Sequence, residues 1–328
     1  MSMVSSTIRS LIASVALGAT PLCAPAHADQ SLAIPRIGVL TSGATSFPED
    51  YLRDGLRELG YIEGKNILIE SRGLSAQTDE DLRSLVADWA RLKVDLIVAF
   101  STPTARAALQ ATKVPVVFIS GDPVGTGLAT SLARPGGQGT GVSMLNRELT
   151  GKRMELLKQV APGIRRIVFL MNSANPLDAR MLEEAQKAAR TLSVELVTSG
   201  ARDADELGVA LHLMHPSTAD GLLVSNDLLF LANKAKITQA ARKAKVPAIF
   251  PYKEYHDDGA LMSYGPSVRE ANRKIAVYVD KILKGAKPSA LPIEQISKYE
   301  LIIDLRVARG MGIHVPQELL LRADEVIR

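Results

Sequence analysis

One cysteine stands in 328 residues, at Cys23 near the N-terminus. If the first 28 residues are removed, none is left, which excludes a disulfide scaffold, a cysteine metal site and thiol catalysis. A surplus of one charge is also missing: 39 Lys and Arg face 35 Asp and Glu. No Lys/Arg block or basic–aromatic interleaving occurs, so nothing suggests nucleic-acid binding. The Gly-rich segments at 121–127 and 136–141 match neither a phosphate loop nor a dinucleotide fingerprint. A G-x-S-x-G elbow and an H-E-x-x-H helix are absent too. His212 and His215 have i, i+3 spacing on an expected helix, but no carboxylate accompanies them and they read as surface residues. The expectation is a protein that is not an enzyme, with no metal and no cofactor.

Long apolar runs are also lacking beyond the N-terminus, where a span would need about 20 residues. What stands there is a leader: Arg9 before an apolar or small stretch, Leu11 to Leu22, then Ala26-His27-Ala28. That is the pattern of a cleavable signal peptide over residues 1–28, with a periplasmic address expected. A lipid-anchored Cys23 is the lesser alternative, because Thr20-Pro21-Leu22 lacks a small residue beside the cysteine. Removal of the leader takes away Arg9 alone and leaves 38 basic against 35 acidic side chains.

From Pro35 onward, apolar runs alternate with amphipathic segments. Strands are expected at 36–42, 66–71, 94–100 and 115–120, with helices at 48–59 and 78–93 and an alanine-rich helix after Ser101. A Gly/Pro loop, Arg134 to Gly141, precedes a second series. Its helices are expected at 147–160, 176–192, 203–215, 230–245 and 267–284, and its strands at 165–171, 194–198, 220–225, 247–251 and 260–264. Near-continuous apolar strands alternating with helices imply parallel sheets covered on both faces. The break near the middle favours two sheets. Lys113-Val-Pro-Val-Val-Phe118 and Lys245-Val-Pro-Ala-Ile-Phe250 repeat one helix-to-strand pattern. Two similar lobes or reuse of a good connector would each explain it.

In such sheets ligands bind beyond the carboxyl ends of the strands. The first series places Ser42, Gly43, Ser101, Thr102, Thr104, Gly121 and Asp122 there. The second places Asn172, Asn175, Asn226, Asp227, Tyr252 and Tyr264. Hydroxyls and amides at a helix start suit a carboxylate, Asp122 or Asp227 an ammonium, and Phe47, Tyr252 and Tyr264 an apolar wall. A small zwitterion or organic acid fits. A plain N-cap is nonetheless the commoner use of Ser101 or Thr102, and Asp122-Pro123 and Asn175-Pro176 are ordinary turn starters. Asp257-Asp258 before Gly259 reads as a solvated loop.

Six segments together resemble one known family. They are Gly121-Asp-Pro-Val-Gly-Thr-Gly-Leu128, Ser131-Leu-Ala-Arg-Pro-Gly-Gly137, Gly259-Ala-Leu-Met-Ser-Tyr-Gly265, Ile282-Leu-Lys-Gly285 with Lys287-Pro288, Leu291-Pro-Ile-Glu294 and Arg322-Ala-Asp-Glu325. The chain is similar throughout its mature length to ABC-transporter substrate-binding proteins of the tryptophan/tyrosine type. The resemblance implies a type I periplasmic binding-protein fold: two Rossmann-like α/β lobes joined by crossover hinge strands. Lobe one would span 33–145 with 266–297 returning to it, and lobe two 146–265 with 298–328 crossing back toward it. The resemblance also implies a small-molecule ligand of the amino-acid class, aromatic or branched in particular, an ABC permease in the inner membrane as partner, and a monomer. Leu228-Leu229-Phe230 stands where relatives commonly carry a proline, so the local wall departs from the family pattern. Two other readings stay open: a ligand sensor docking to a membrane signalling protein, and, against the missing motifs, an α/β enzyme.

Overall fold

The protein is described from a computed structural model, which covers residues 34–42, 47–74, 84–85, 88–89, 91–215 and 217–328. The expected leader, Gly43, most of the expected helix 78–93 and the side chains of Ser42 and Phe47 lie outside the described residues.

Two parallel-dominated sheets form. The first uses β1 (Arg36–Ser42), β2 (Leu68–Leu74), β3 (Leu96–Ala99), β4 (Val116–Ser120) and β5 (Gly139–Ser143). Helix α1 (Phe47–Glu58) follows β1, and α2 (Thr102–Ala111) joins β3 to β4. The chain then crosses into α3 (Asn146–Val160), β6 (Arg166–Met171), α4 (Pro176–Leu192), β7 (Glu195–Gly200) and α5 (Ala204–Ala210). Next come β8 (Gly221–Val224), α6 (Leu228–Ala232), α7 (Lys234–Ala244), β9 (Ala248–Phe250) and β10 (Met262–Pro266). Helix α8 (Val268–Leu283) and β11 (Glu294–Gln295) lie with the first sheet. The closing elements β12 (Tyr299–Asp304), α9 (Leu305–Met311), α10 (Gln317–Arg322) and β13 (Glu325–Ile327) lie with the second.

The orders are β11-β5-β4-β3-β1-β2 and β13-β12-β10-β9-β8-β6-β7. Each therefore contains the same doubly wound order, 2-1-3-4-5, whose ligand crevice lies at the carboxyl ends near the switch point. The repeated Lys-Val-Pro pattern falls at equivalent places, entering β4 and β9. Among the described strands, β12 pairs antiparallel with β10, and edge strand β13 runs parallel to β12. The chain passes between the sheets at 144–145, 267 and 296–298.

Burial follows the sequence pattern. Strands β3, β4, β8 and β9 are buried along their whole length. Amphipathic α8 buries Ala271, Ile275, Ala276, Tyr278, Val279 and Ile282 against α1 and the first sheet. Burying such an aliphatic or aromatic side chain contributes about 1.5–3 kcal/mol, so these faces hold each sheet rigid beneath its loops.

Four expectations change. Strand β5 sits inside the stretch read as a Gly/Pro loop, because Gly139-Thr-Gly141 carries no apolar alternation and becomes a strand only by pairing with β4 and β11. The expected helix 203–215 is α5 followed by a 3-10 turn, Leu211–Leu213. The expected helix 230–245 starts earlier, at Leu228, and breaks at Asn233 into α6 and α7. Asp257 and Asp258 lie in a 3-10 segment, Lys253–Asp258, and face Lys234 Nζ at 3.4 and 2.5 Å.

Candidate functional site

Two sets of strand ends meet around one small cavity. Phe100, Ser101, Thr102, Ile119, Ser120, Gly121 and Met144 line it from the first sheet. Asn175, Leu177, Asn226, Asp227, Leu228 and Tyr252 line it from the second. Its volume is about 40 Å³, room for water alone.

On the first side, Ser101 caps α2. Its hydroxyl accepts from the Thr104 amide at 3.3 Å, and the Thr104 hydroxyl accepts from the Ser101 amide at 3.0 Å. This reciprocal capping box uses two donors that a helix start leaves over. Pro103 has no N–H, and the Ala105 amide goes to the Ser101 carbonyl at 2.9 Å. The Thr102 amide is thus the first-turn donor left outside the helix's own bonding. The Thr102 and Ser120 hydroxyls lie 2.9 Å apart, both side chains buried. Thr104 is wholly buried beneath the cap and does not line the cavity.

Asp122 also turns away from the cavity. Its Oδ1 accepts from the Gly125 amide at 2.8 Å, and its Oδ2 lies 3.6 Å from Arg147 Nη1 of α3. The turn needs glycine at 125, where a Cβ would sit 2.1 Å from Asp122 Oδ2. The Gly125 carbonyl accepts from Arg180 Nη2 of α4 at 2.9 Å. Loop 122–126 of the first side is therefore clasped by two arginines of the second.

On the second side, Asn175 caps α4: its Oδ1 accepts from the Leu177 amide at 3.0 Å, while its Nδ2 donates to Asp227 Oδ2 at 2.8 Å. Asn172 Nδ2 donates to the same oxygen at 3.2 Å from behind the cavity wall. Asp227 Oδ1 caps α6 by accepting from the Leu229 amide at 2.8 Å. Asn226 Oδ1 is buried with no hydrogen-bond partner among the described residues. The Tyr252 hydroxyl donates to the Asn226 carbonyl at 3.4 Å. Tyr264 lies off the cavity on β10, its ring 6.3 Å from that of Tyr299 and its carbonyl accepting from Arg153 Nε at 2.8 Å.

Two residues escaped the sequence reading. Asp178, in the first turn of α4, is wholly buried; its Oδ2 accepts from the Asn172 amide at 2.6 Å and from the Ser225 hydroxyl at 2.7 Å. Burial first, then the charge of Asp227, pushes the Asp178 carboxyl well above the usual carboxylate range. Burial also raises that of Asp227, against the hydrogen bonds from Leu229, Asn175 and Asn172. The second is Arg153 of α3, whose burial lowers its pKa to about 10. Both sit inside ordinary helical patterns, and no local signal marked them. His212 and His215, by contrast, are engaged locally, with the Val209 carbonyl and the Ser217 hydroxyl. Among the described residues no group of His, Cys, Asp and Glu is placed to hold a metal.

Comparison with known proteins places this geometry in context. Residues 45–327 match the family model described as ABC transporter substrate binding protein. A tyrosine-binding protein of Clostridioides difficile is 28% identical over 252 residues, covering 76% of this chain and 72% of that one. A domain from Streptococcus pneumonia solved in complex with L-Trp superposes with a TM-score of 0.80 at 25% identity, covering 89% of this chain and 99% of that one. A conserved domain protein from Vibrio cholerae gives 0.81 at 26%, with the same coverage. These neighbours share the two-sheet architecture described above.

Proposed function

The chain belongs to the ABC transporter substrate-binding protein family, and from that premise we propose that it captures a free amino acid between two closing lobes. The lobes are 33–145 with 266–297, and 146–265 with 298–328. The captured ligand is delivered to an ABC permease for import from the periplasm.

One observation carries this reading: polar groups from the carboxyl ends of both sheets converge on the same cavity. The Ser101 hydroxyl and the Thr102 amide at the start of α2 suit a carboxylate, which the positive end of a helix favours. Asp227 and the Asn226 carbonyl oxygen Oδ1 suit an ammonium. Tyr252, Phe100 and Leu228 supply apolar wall for an aromatic side chain. The relatives that bind tyrosine and L-Trp support that ligand class. A cavity of about 40 Å³ has no room for an amino acid, so entry requires the lobes to part. The backbone passages at 144–145, 267 and 296–298 are where such a hinge would turn.

A thermal-shift screen of the mature chain against L-Tyr, L-Trp and the branched amino acids tests this. A ligand that binds the native state raises the melting temperature by mass action. Asp227→Ala and Ser101→Ala, one on each lobe, should each reduce the shift while the apo protein stays folded. An unchanged shift in both variants would remove the site assignment.

A further inference from the structure

We propose that Asp178 and Asp227 hold one proton between them in the empty cleft, and that capture of the ligand's ammonium group expels it. The inference rests on the amino-acid reading and names how that site manages its buried charge.

The geometry is a pair of buried carboxylates sharing one residue. Asn172 bonds Asp178 Oδ2 through its backbone amide and Asp227 Oδ2 through its side chain. Asp227 is satisfied by three N–H donors, from Asn172, Asn175 and Leu229, and its side chain lines the cavity. Asp178 stands behind it, wholly buried, and its Oδ1 has no hydrogen-bond partner among the described residues. A buried carboxylate with one bare oxygen next to a second carboxylate is the arrangement in which only one of the two ionises.

Among the described residues no cation offsets the pair. The groups that face it are the Ser225 hydroxyl at the end of β8, the Asn172 amide after β6, Asn175 on α4 and the Leu229 amide on α6. Tyr255, from the 3-10 segment, feels the charge of Asp227 and is itself raised by burial. The nearby buried Arg153 donates from Nε to the Tyr264 carbonyl at 2.8 Å, and among the described residues no lysine, arginine or histidine is a cause of the shift at either carboxyl. Across the cavity stand the neutral hydroxyls of Ser101, Thr102 and Ser120.

The empty site thus carries a net charge of minus one. An ammonium beside Asp227 adds plus one and lowers the affinity of the pair for its proton. The O–H bond of the carboxylic acid ionises, the proton passes to buffer, and the site returns to minus one with two carboxylates and one ammonium. Affinity therefore rises with pH, by about tenfold per unit, until the empty pair ionises fully on its own.

Isothermal titration calorimetry of the full chain with L-Tyr and L-Trp, at one pH in buffers of different ionisation enthalpy, counts the protons. The expected result is release of close to one proton per ligand by the wild type. Asp178→Asn should bind with close to none, its affinity nearly independent of pH. The wild-type series needs no variant to fold. The deaminated analogues 3-(4-hydroxyphenyl)propionate and indole-3-propionate should bind more weakly and release no proton. Amino-acid binding without proton release, or equal release by Asp178→Asn, overturns the inference and leaves the amino-acid reading intact. Absence of binding by every amino acid overturns that reading, and the inference with it.

Discussion

The arginine clasp on loop 122–126 allows a quantitative prediction about closing. Arg180 Nη2 donates to the Gly125 carbonyl at 2.9 Å; on the proposed two-lobe reading this bond crosses the cleft and would form only while the cleft is shut. Were the lobes to part as proposed, Arg180 would keep Glu183 of its own helix, 3.6 Å away, and lose the Gly125 carbonyl. A charge-assisted hydrogen bond contributes about 1.5–3 kcal/mol when well buried. The Arg180 side chain is 37% exposed, which lowers its contribution to about 1 kcal/mol. That is about fivefold in the closing equilibrium, and a ligand whose closed complex keeps this contact loses the same factor in affinity when the empty protein is mostly open. Arg180→Ala should therefore raise the dissociation constant about fivefold, with the urea midpoint of the apo protein almost unchanged. Calorimetric titration with a ligand from the thermal screen measures the first, and equilibrium denaturation the second. Adding Arg147→Ala removes the 3.6 Å approach to Asp122 and should deepen the loss. Affinity within twofold of wild type in the double variant would refute the clasp as a closing contact.

Two further perturbations test the scaffold. Burial lowers the pKa of His256 to about 4 from 6.5, and its Nε2 lies 3.0 Å from Ser263 Oγ. Its folded imidazole stays neutral while the unfolded one takes a proton, so stability is full above about pH 6.5, falls with pH and levels off below about pH 4. The raised carboxyls of Asp178, Asp227 and Glu254 act in the opposite sense, so the measurement is a difference. Between pH 7 and 4.5, wild type should lose about 2–3 kcal/mol more than His256→Gln by urea denaturation; parallel losses would contradict the assignment. At Gly141, a Cβ would sit 1.9 Å from the Phe118 carbonyl oxygen of the paired strand. Gly141→Ala should cost about 3 kcal/mol or more in thermal or urea unfolding, and a cost below about 1 kcal/mol would show that β4 and β5 are packed more loosely.

The sequence by itself determined the elements and the level at which the site lies. Apolar runs such as Leu96–Ala99 and Gly221–Val224 read as buried strands because they are short, aliphatic and ended by hydroxyls and amides. The cap at Ser101 was legible too, since its side chain bonds an amide three residues on; Asn175, read as a turn starter, also caps its helix, as does Asp227. Tertiary structure decided what depends on distant partners. Strand β5 exists because β4 and β11 flank it, not because Gly139-Thr-Gly141 favours extension. Asp122, expected to answer a ligand, is bound within its own turn and approached by Arg147. Asp178, an unremarked acid in a helical first turn, is buried behind Asp227 because β6 and β8 pair side by side and bring Asn172 and Ser225 onto it. A carboxylate's neighbours across a sheet, and the burial that sets its charge, are three-dimensional properties that no local spacing records.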